Sequence, residues 1–225
     1  AEEFRGQVRE AARSAEGHQV LLELIRCLSS EDVAFIPAEL CGNGRYAANN
    51  IYGHTVVCRL LEFSPALPCT VELVDEVLES GAESLCCHKF GFSLAMSVVS
   101  NGLPRQRAQI VAALSTHVQR FARHRFASQV LEHALVAHFE LDECQTLLAE
   151  LMRHSGGVVK LACHCFGTHI VRALLVVPAT AKQVRTSIMQ AEQRLRKDRY
   201  GAKLLEDLAG NASGSLVGQA SLFGA

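Results

Sequence analysis

One short pattern returns six times along this chain, about every 36 residues, and no other feature limits the possible folds so tightly. The segments Gly17-His-Gln-Val-Leu-Leu, Gly53-His-Thr-Val-Val-Cys and Gly91-Phe-Ser-Leu-Ala-Met share one template. Ala127-Ser-Gln-Val-Leu-Glu, Gly167-Thr-His-Ile-Val-Arg and Gly201-Ala-Lys-Leu-Leu-Glu continue it. Their first residues stand 36, 38, 36, 40 and 34 positions apart. An aromatic ring precedes five of the six: Tyr52, Phe90, Phe126, Phe166 and Tyr200. A period of this size marks a stacked solenoid, because one unit cannot bury its apolar face alone.

The third unit shows the internal plan. Val71 to Leu78 places apolar residues on one face at helical spacing, with carboxylates between them. Ser80-Gly81 interrupts, Ala82 to Cys87 resumes the pattern, and a second periodic run follows Gly91 to Val99. Asn101-Gly102-Leu103-Pro104 stops that run and turns the chain. Sustained two-residue alternation is absent, so the reading is all-α, in helix pairs or triplets. The motif glycine falls near the start of the second helix, where a missing Cβ allows close approach of the helix before it. The preceding ring is a natural packing partner for that helix, and Ala127 marks the need as steric rather than one of positive φ. The stretch Ser29–Asn50, with Pro37 and Gly42-Asn43-Gly44, reads as the first helix of unit two with a bulging loop.

With 49% hydrophobic residues, 225 positions can bury a long shared core. The repeats assign residues 1–209 to one domain and leave 210–225, rich in Gly, Ser and Ala, as a flexible tail or docking segment. No run reaches the ~18 consecutive apolar residues that a membrane span needs. The start Ala1-Glu2-Glu3 carries no signal segment, and the chain reads as a piece of a longer protein. Nine cysteines in a chain neither small nor loop-dominated point to a reduced intracellular compartment, cytoplasmic or nuclear. The net charge of −1 hides an asymmetry. Residues 1–100 hold 7 Lys and Arg against 14 Asp and Glu, and residues 101–225 hold 15 against 9. A basic half invites a polyanion.

The unit resembles the Pumilio (PUF) repeat, whose signature is an aromatic, a small residue, two variable positions, two apolar residues and a third variable position. Arg125-Phe-Ala-Ser-Gln-Val-Leu-Glu132 carries the resemblance best, followed by Ile51-Tyr-Gly-His-Thr-Val-Val-Cys58, and it spans roughly residues 10–209. It implies a right-handed, armadillo-like α-solenoid whose variable residues line the concave face. There each repeat reads one RNA base, with its first and third variable residues at the base edge and its second stacking between bases. Residues four apart on a helix share a face, which lets first and third act together.

Carried over, the edge pairs with their stacking residues are His18 and Leu22 with Gln19, then His54 and Cys58 with Thr55. Phe92 and Met96 with Ser93, and Ser128 and Glu132 with Gln129, follow. Thr168 and Arg172 with His169, and Ala202 and Glu206 with Lys203, complete the set. Only Ser128–Glu132 resembles the family's guanine-reading pair, in which a carboxylate accepts from the base's N–H and amino groups. Leu22, Phe92, Met96 and Ala202 offer no comparable hydrogen bonds. The resemblance therefore implies a relative of low sequence selectivity, such as those that hold single-stranded or structured RNA in post-transcriptional regulation or ribosome assembly. Lys89, Arg123, Arg125, Lys197 and Arg199 gather at entrances to the later second helices, and Arg172 and Lys203 stand on the reading face, where they suit phosphates.

Other chemistry is weakly represented. Cys86-Cys87-His88 and Cys163-His164-Cys165 look like metal ligands, yet His88, His124 and His164 all fall two positions before the motif ring, where unit two has Asn50 and unit six Asp198. That recurrence fits a polar residue at a helix start, and a zinc site would have to join units 76 positions apart. No phosphate-binding glycine loop or Gly-x-Ser-x-Gly elbow occurs, so no enzyme, metal or cofactor is expected. Two roles remain open: RNA binding centred on units four to six, and a protein-interaction scaffold. The scaffold would use the apolar positions of the acidic N-terminal units, or the tail with Leu222-Phe223.

Overall fold

A computed structural model describes residues 4–138, 142–153 and 156–212. Its described residues form seventeen helices and no strand. Unit one holds α1 (Val8–Ala11) and α2 (Ala15–Cys27), and unit two holds α3 (Phe35–Leu40), α4 (Gly44–Asn49) and α5 (Gly53–Phe63). Units three and four follow as α6 (Pro68–Glu79), α7 (Ala82–Cys87), α8 (Gly91–Asn101) and α9 (Pro104–Ser115), α10 (Val118–Phe121), α11 (Ala127–Ala137). Unit five is α12 (Asp142–Met152), α13 (Gly157–Ala162), α14 (Gly167–Val176), and unit six is α15 (Pro178–Gln190), α16 (Glu192–Leu195), α17 (Arg199–Ala212). Each full unit is thus a triplet that ends on the long motif helix; the middle helix is short, and the first is long in units three to six and six residues in unit two.

Proline opens the first helix of units three, four and six, at Pro68, Pro104 and Pro178. At that position its missing N–H costs no hydrogen bond and its fixed φ already suits a helix. The motif helices pack in chain order, α2 on α5, then α8, α11, α14 and α17. A second row runs α3, α6, α9, α12 on the other side of a single core that threads all six units.

The motif glycines are steric. A Cβ on Gly53 would lie 2.7 Å from the Ala47 carbonyl oxygen, and one on Gly201 would lie 2.7 Å from that of Leu195. Six residues back in each unit, the short middle helix therefore presses its backbone on the motif helix. Neither glycine has positive φ; among the described residues only Gly6, Gly42 and Gly81 do.

Two boundaries differ from the sequence reading. Ser29–Asn50 does not form one helix with a bulging loop. It folds into α3 and α4, and the turn between them is held by Glu76, whose carboxylate accepts from the Gly42 and Gly44 N–H groups at 2.7 and 2.8 Å. That carboxylate sits on α6 of the next unit and was invisible locally. At the other end α17 continues through Ala212, and the rest of the assigned tail, with Leu222-Phe223, lies outside the described residues.

Candidate nucleic-acid interface

Every motif helix is entered through the same cap. Two positions before the ring, Asn50 Oδ1 accepts from the Tyr52 and Gly53 N–H groups at 2.9 and 3.0 Å. Asp198 Oδ1 accepts from Tyr200 and Gly201, both at 2.9 Å. In units three to five the acceptor is a histidine Nδ1: His88 for Phe90 and Gly91, His124 for Phe126 and Ala127, His164 for Phe166 and Gly167, at 3.2 to 3.4 Å. Ser14 Oγ does the same for Gly17 at 3.0 Å. These side chains satisfy N–H groups that no helix carbonyl can reach. Capping thus occupies the histidines that resembled metal ligands, and among the described residues no group of three or more His, Cys, Asp or Glu is placed to hold a metal ion.

The cap sets where the following ring goes. The sequence reading paired that ring with the preceding helix of its own unit, whereas its partner in units two to four lies one unit back. Tyr52 stacks on His18 with centroids 4.6 Å apart, Phe90 on His54 at 5.5 Å, and Phe126 on Phe92 at 5.4 Å. The first variable residue of units one to three is thereby consumed in joining neighbouring units. His18 is 8% exposed, and its Nδ1 lies 3.0 Å from the Ser14 carbonyl oxygen. His54 lies likewise 2.8 Å from that of Asn50, and burial lowers its pKa from 6.5. Leu22, Cys58 and Met96, the third variable residues, are half-buried. Burial pushes the Cys58 thiol up to about 12, so it is neither a nucleophile nor an anion at neutral pH. Thr55 and Ser93 turn their hydroxyls back to the carbonyls of Tyr52 and Phe90, and Gln19 binds His18 Nε2 at 3.0 Å.

Units four to six differ. Ser128 and Thr168 are buried and Ala202 half-buried, and among the described residues no ring from the preceding unit covers Phe166 or Tyr200. Gln129, His169 and Lys203, the stacking positions, are exposed. Glu132 is half-buried; burial raises its pKa, while the nearby His169 and Arg172 act against that rise. Arg172 donates to Asp207 at 2.6 Å, from unit five to unit six, which offsets the charge that the sequence assigned to phosphate. Asp207 is the neighbour of Arg172 that sequence reasoning missed; it follows Glu206, and only the stacking of α17 on α14 brings the two together. Thr168 closes its hydroxyl on the Cys165 carbonyl at 3.0 Å, and Glu206 is exposed.

A cation recurs beside the rings. Lys89 stands 5.1 Å from the Phe90 centroid, Arg125 5.4 Å from Phe126, and Arg199 5.8 Å from Tyr200. Each is exposed, held by the ring face and able to meet an anion from outside.

This repeat of cap, glycine and ring has counterparts among solved structures. The Puf4 RNA-binding domain bound to the HO endonuclease RNA 3′ UTR recognition sequence matches with TM-score 0.77 and 16% identity, over 95% of this chain and 68% of that one. PUF-8 in complex with PBE-RNA matches with TM-score 0.77 and 14% identity, over 92% and 60%. The RNA-binding domain of yeast Puf5p bound to SMX2 RNA gives TM-score 0.69 and 16% identity, over 92% and 64%. The fold is that of a Pumilio repeat solenoid. No family model matches the sequence, and no curated protein matches it either. The chain spans 60 to 68% of the length of these three PUF structures. Among the described residues no helix is long and apolar enough to cross a membrane.

Proposed function

We propose that this PUF-fold solenoid binds single-stranded RNA along its motif helices, that units four to six supply the contacts, and that sequence selectivity is low. The observation that carries the reading is the contrast between the two halves of the motif face. The motif rings of units two to four stack on a ring of the unit before, and Phe166 and Tyr200 of units five and six lack that cover. A base can stack on an uncovered ring or on exposed His169, and Lys203 and Arg199 can meet its phosphates. Solved neighbours of this fold bound to RNA support the assignment of ligand class. Selectivity is low because in the one guanine-like edge pair Ser128 is buried and Glu132 alone is left as an acceptor, and Arg172 is engaged by Asp207. Such binding suits post-transcriptional regulation or ribosome assembly inside the cell, with no catalytic step.

The test is selection from a randomised single-stranded RNA pool at two salt concentrations. Binding that falls steeply with salt and yields at most a guanine opposite unit four is the expected result. A long selected motif would contradict low selectivity, and no binding at either salt would remove the RNA reading. A second reading rests on Leu22, Phe92 and Met96, an apolar strip on units one to three that suits a protein partner. Partners retained from native extract after nuclease treatment would favour it.

A further inference from the structure

The short middle helices of units four to six carry a periodic feature of their own. Six positions before the motif's small residue stands Phe121, Leu161 or Leu195, each buried. Seven positions before it stands Arg120, Lys160 or Arg194, each exposed. Successive residues of a helix point about 100° apart, so a buried neighbour leaves the cation on the outer side. Three residues further on, on the same side, Arg123 and Lys197 are exposed as well. Units one to three hold Glu10, Tyr46 and Ser84 at the position of Arg120, Lys160 and Arg194.

These cations are short of partners. Across residues 118–125, 158–165 and 192–199, eight Lys and Arg stand against two carboxylates. Both carboxylates are engaged: Glu192 accepts from Arg196 at 2.6 Å, and Asp198 Oδ1 caps the entrance of α17. Arg120 reaches Glu83 of unit three at 3.9 Å with its side chain 70% exposed, and Arg123 donates its Nε to the Gln119 carbonyl. With the described residues, Lys160, Arg194 and Lys197 form no ion pair.

The row crosses the junctions between units. Arg123 of unit four adds to burial in lowering the pKa of His164 in unit five. Burial and Asp198 push the Cys163 thiol of unit five up, and Arg194 of unit six acts against them. Arg194 and Lys197, with Gln190, Ala191 and Gln193, line an open hollow of about 400 Å³. Guanidinium, ammonium and amide groups there are all donors, a set that suits phosphate oxygens. Phe121 is buried, and His124 and His164 are turned to their caps, so the row offers a base no ring to stack on.

We propose that the short-helix edge of units four to six is a second RNA site, which holds the phosphate backbone of a base-paired stem. A duplex hides its bases and presents its phosphates, and cations without a stacking ring meet that surface. The proposal rests on RNA as the ligand class, and it uses none of the motif-face residues.

Titration of a blunt-ended RNA duplex of about 16 base pairs, beside a single strand of about 6 nucleotides, tests it. The wild-type chain is expected to bind both. The triple variant Arg123→Gln, Lys160→Gln and Arg194→Gln loses about tenfold or more in duplex affinity. Its slope of log affinity against log salt becomes shallower by about 2.7, since each lost phosphate contact removes about 0.9. The short strand keeps its affinity within about twofold. Lys203→Glu, on the motif face, has the converse effect. All four positions are exposed, so the melting transition does not shift. A wild-type chain that fails to bind the duplex, or a triple variant that binds it as well as wild type, overturns the proposal and leaves strand binding on the motif face standing. Equal loss of duplex and short strand in the triple variant also overturns it, because one surface would then serve both. Binding of the duplex and not the strand by the wild type, lost in the triple variant, would keep the edge site and remove the motif-face reading.

Discussion

In the first three units the residue after the motif glycine is a ring, His18, His54 or Phe92, and each lies on the aromatic ring of the next unit. In the last three it is Ser128, Thr168 or Ala202, and Phe166 and Tyr200 receive no such cover. Backbone, caps and glycine contacts are otherwise shared. One side chain per unit therefore decides whether the motif face is spent on joining units or left open to a ligand. The N-terminal half uses its first variable positions as mortar, and the C-terminal half leaves the rings of units five and six uncovered.

The comparison breaks most visibly at Phe92. Its loss removes a half-buried ring and an inter-unit stack, so Phe92→Ala lowers unfolding free energy by about 2 kcal/mol, with RNA affinity held within about twofold. Chemical denaturation beside a binding titration checks both. The converse holds for the double variant Arg199→Glu with Lys203→Glu. Two exposed cations become anions, so RNA affinity falls about tenfold or more and the slope against salt flattens. Stability stays within about 0.5 kcal/mol in the same denaturation assay, because both side chains are exposed.

Glu132→Gln sharpens the contrast at a single base. A preference for guanine opposite unit four weakens by about tenfold, within the range of one lost edge contact, and preferences elsewhere do not move in a repeated selection. Asp207→Asn has a smaller effect of opposite sign. It releases Arg172 from an ion pair worth about 0.2–1 kcal/mol at this exposure, and raises RNA affinity about two- to threefold at low salt by competition titration.

Acid acts on both halves through half-buried histidines. Burial lowers the pKa of His54, His133 and His164 below 6.5, assisted for His164 by Arg123. Below 6.5 the unfolded chain binds these protons before the folded one does, so stability is full above that pH and falls as pH drops through it. For His164 the loss has a visible cause: its Nδ1 accepts the Phe166 and Gly167 N–H groups and has no room for a proton. A melting series from pH 7.5 to 5 run on wild type and His164→Asn is expected to show less loss in the variant, since asparagine caps the same position in unit two without titrating.

Much of the solenoid was legible because its determinants are local and repeated. Ring, small residue and apolar pair recur at fixed offsets, and the cap residue two before the ring recurs with them. What stayed hidden depends on contacts between units. The split of unit two needed Glu76 from α6, and the pairing of Arg172 needed Asp207 from α17. The stacking of His18 on Tyr52 joins residues 34 apart, and no spacing rule within one helix shows it. Periodicity therefore put the candidate positions on the motif helices, while the state of their side chains is set by neighbours one unit away.

Photocrosslinking of the chain to a uridine-rich RNA, followed by mass spectrometry of the linked peptides, tests the central claim most directly. Crosslinks confined to α11, α14 and α17, with Phe166, His169 and Tyr200 among the linked residues, are the predicted result. Crosslinks centred on Tyr52, Phe90 and the helices α2 to α8 would contradict it.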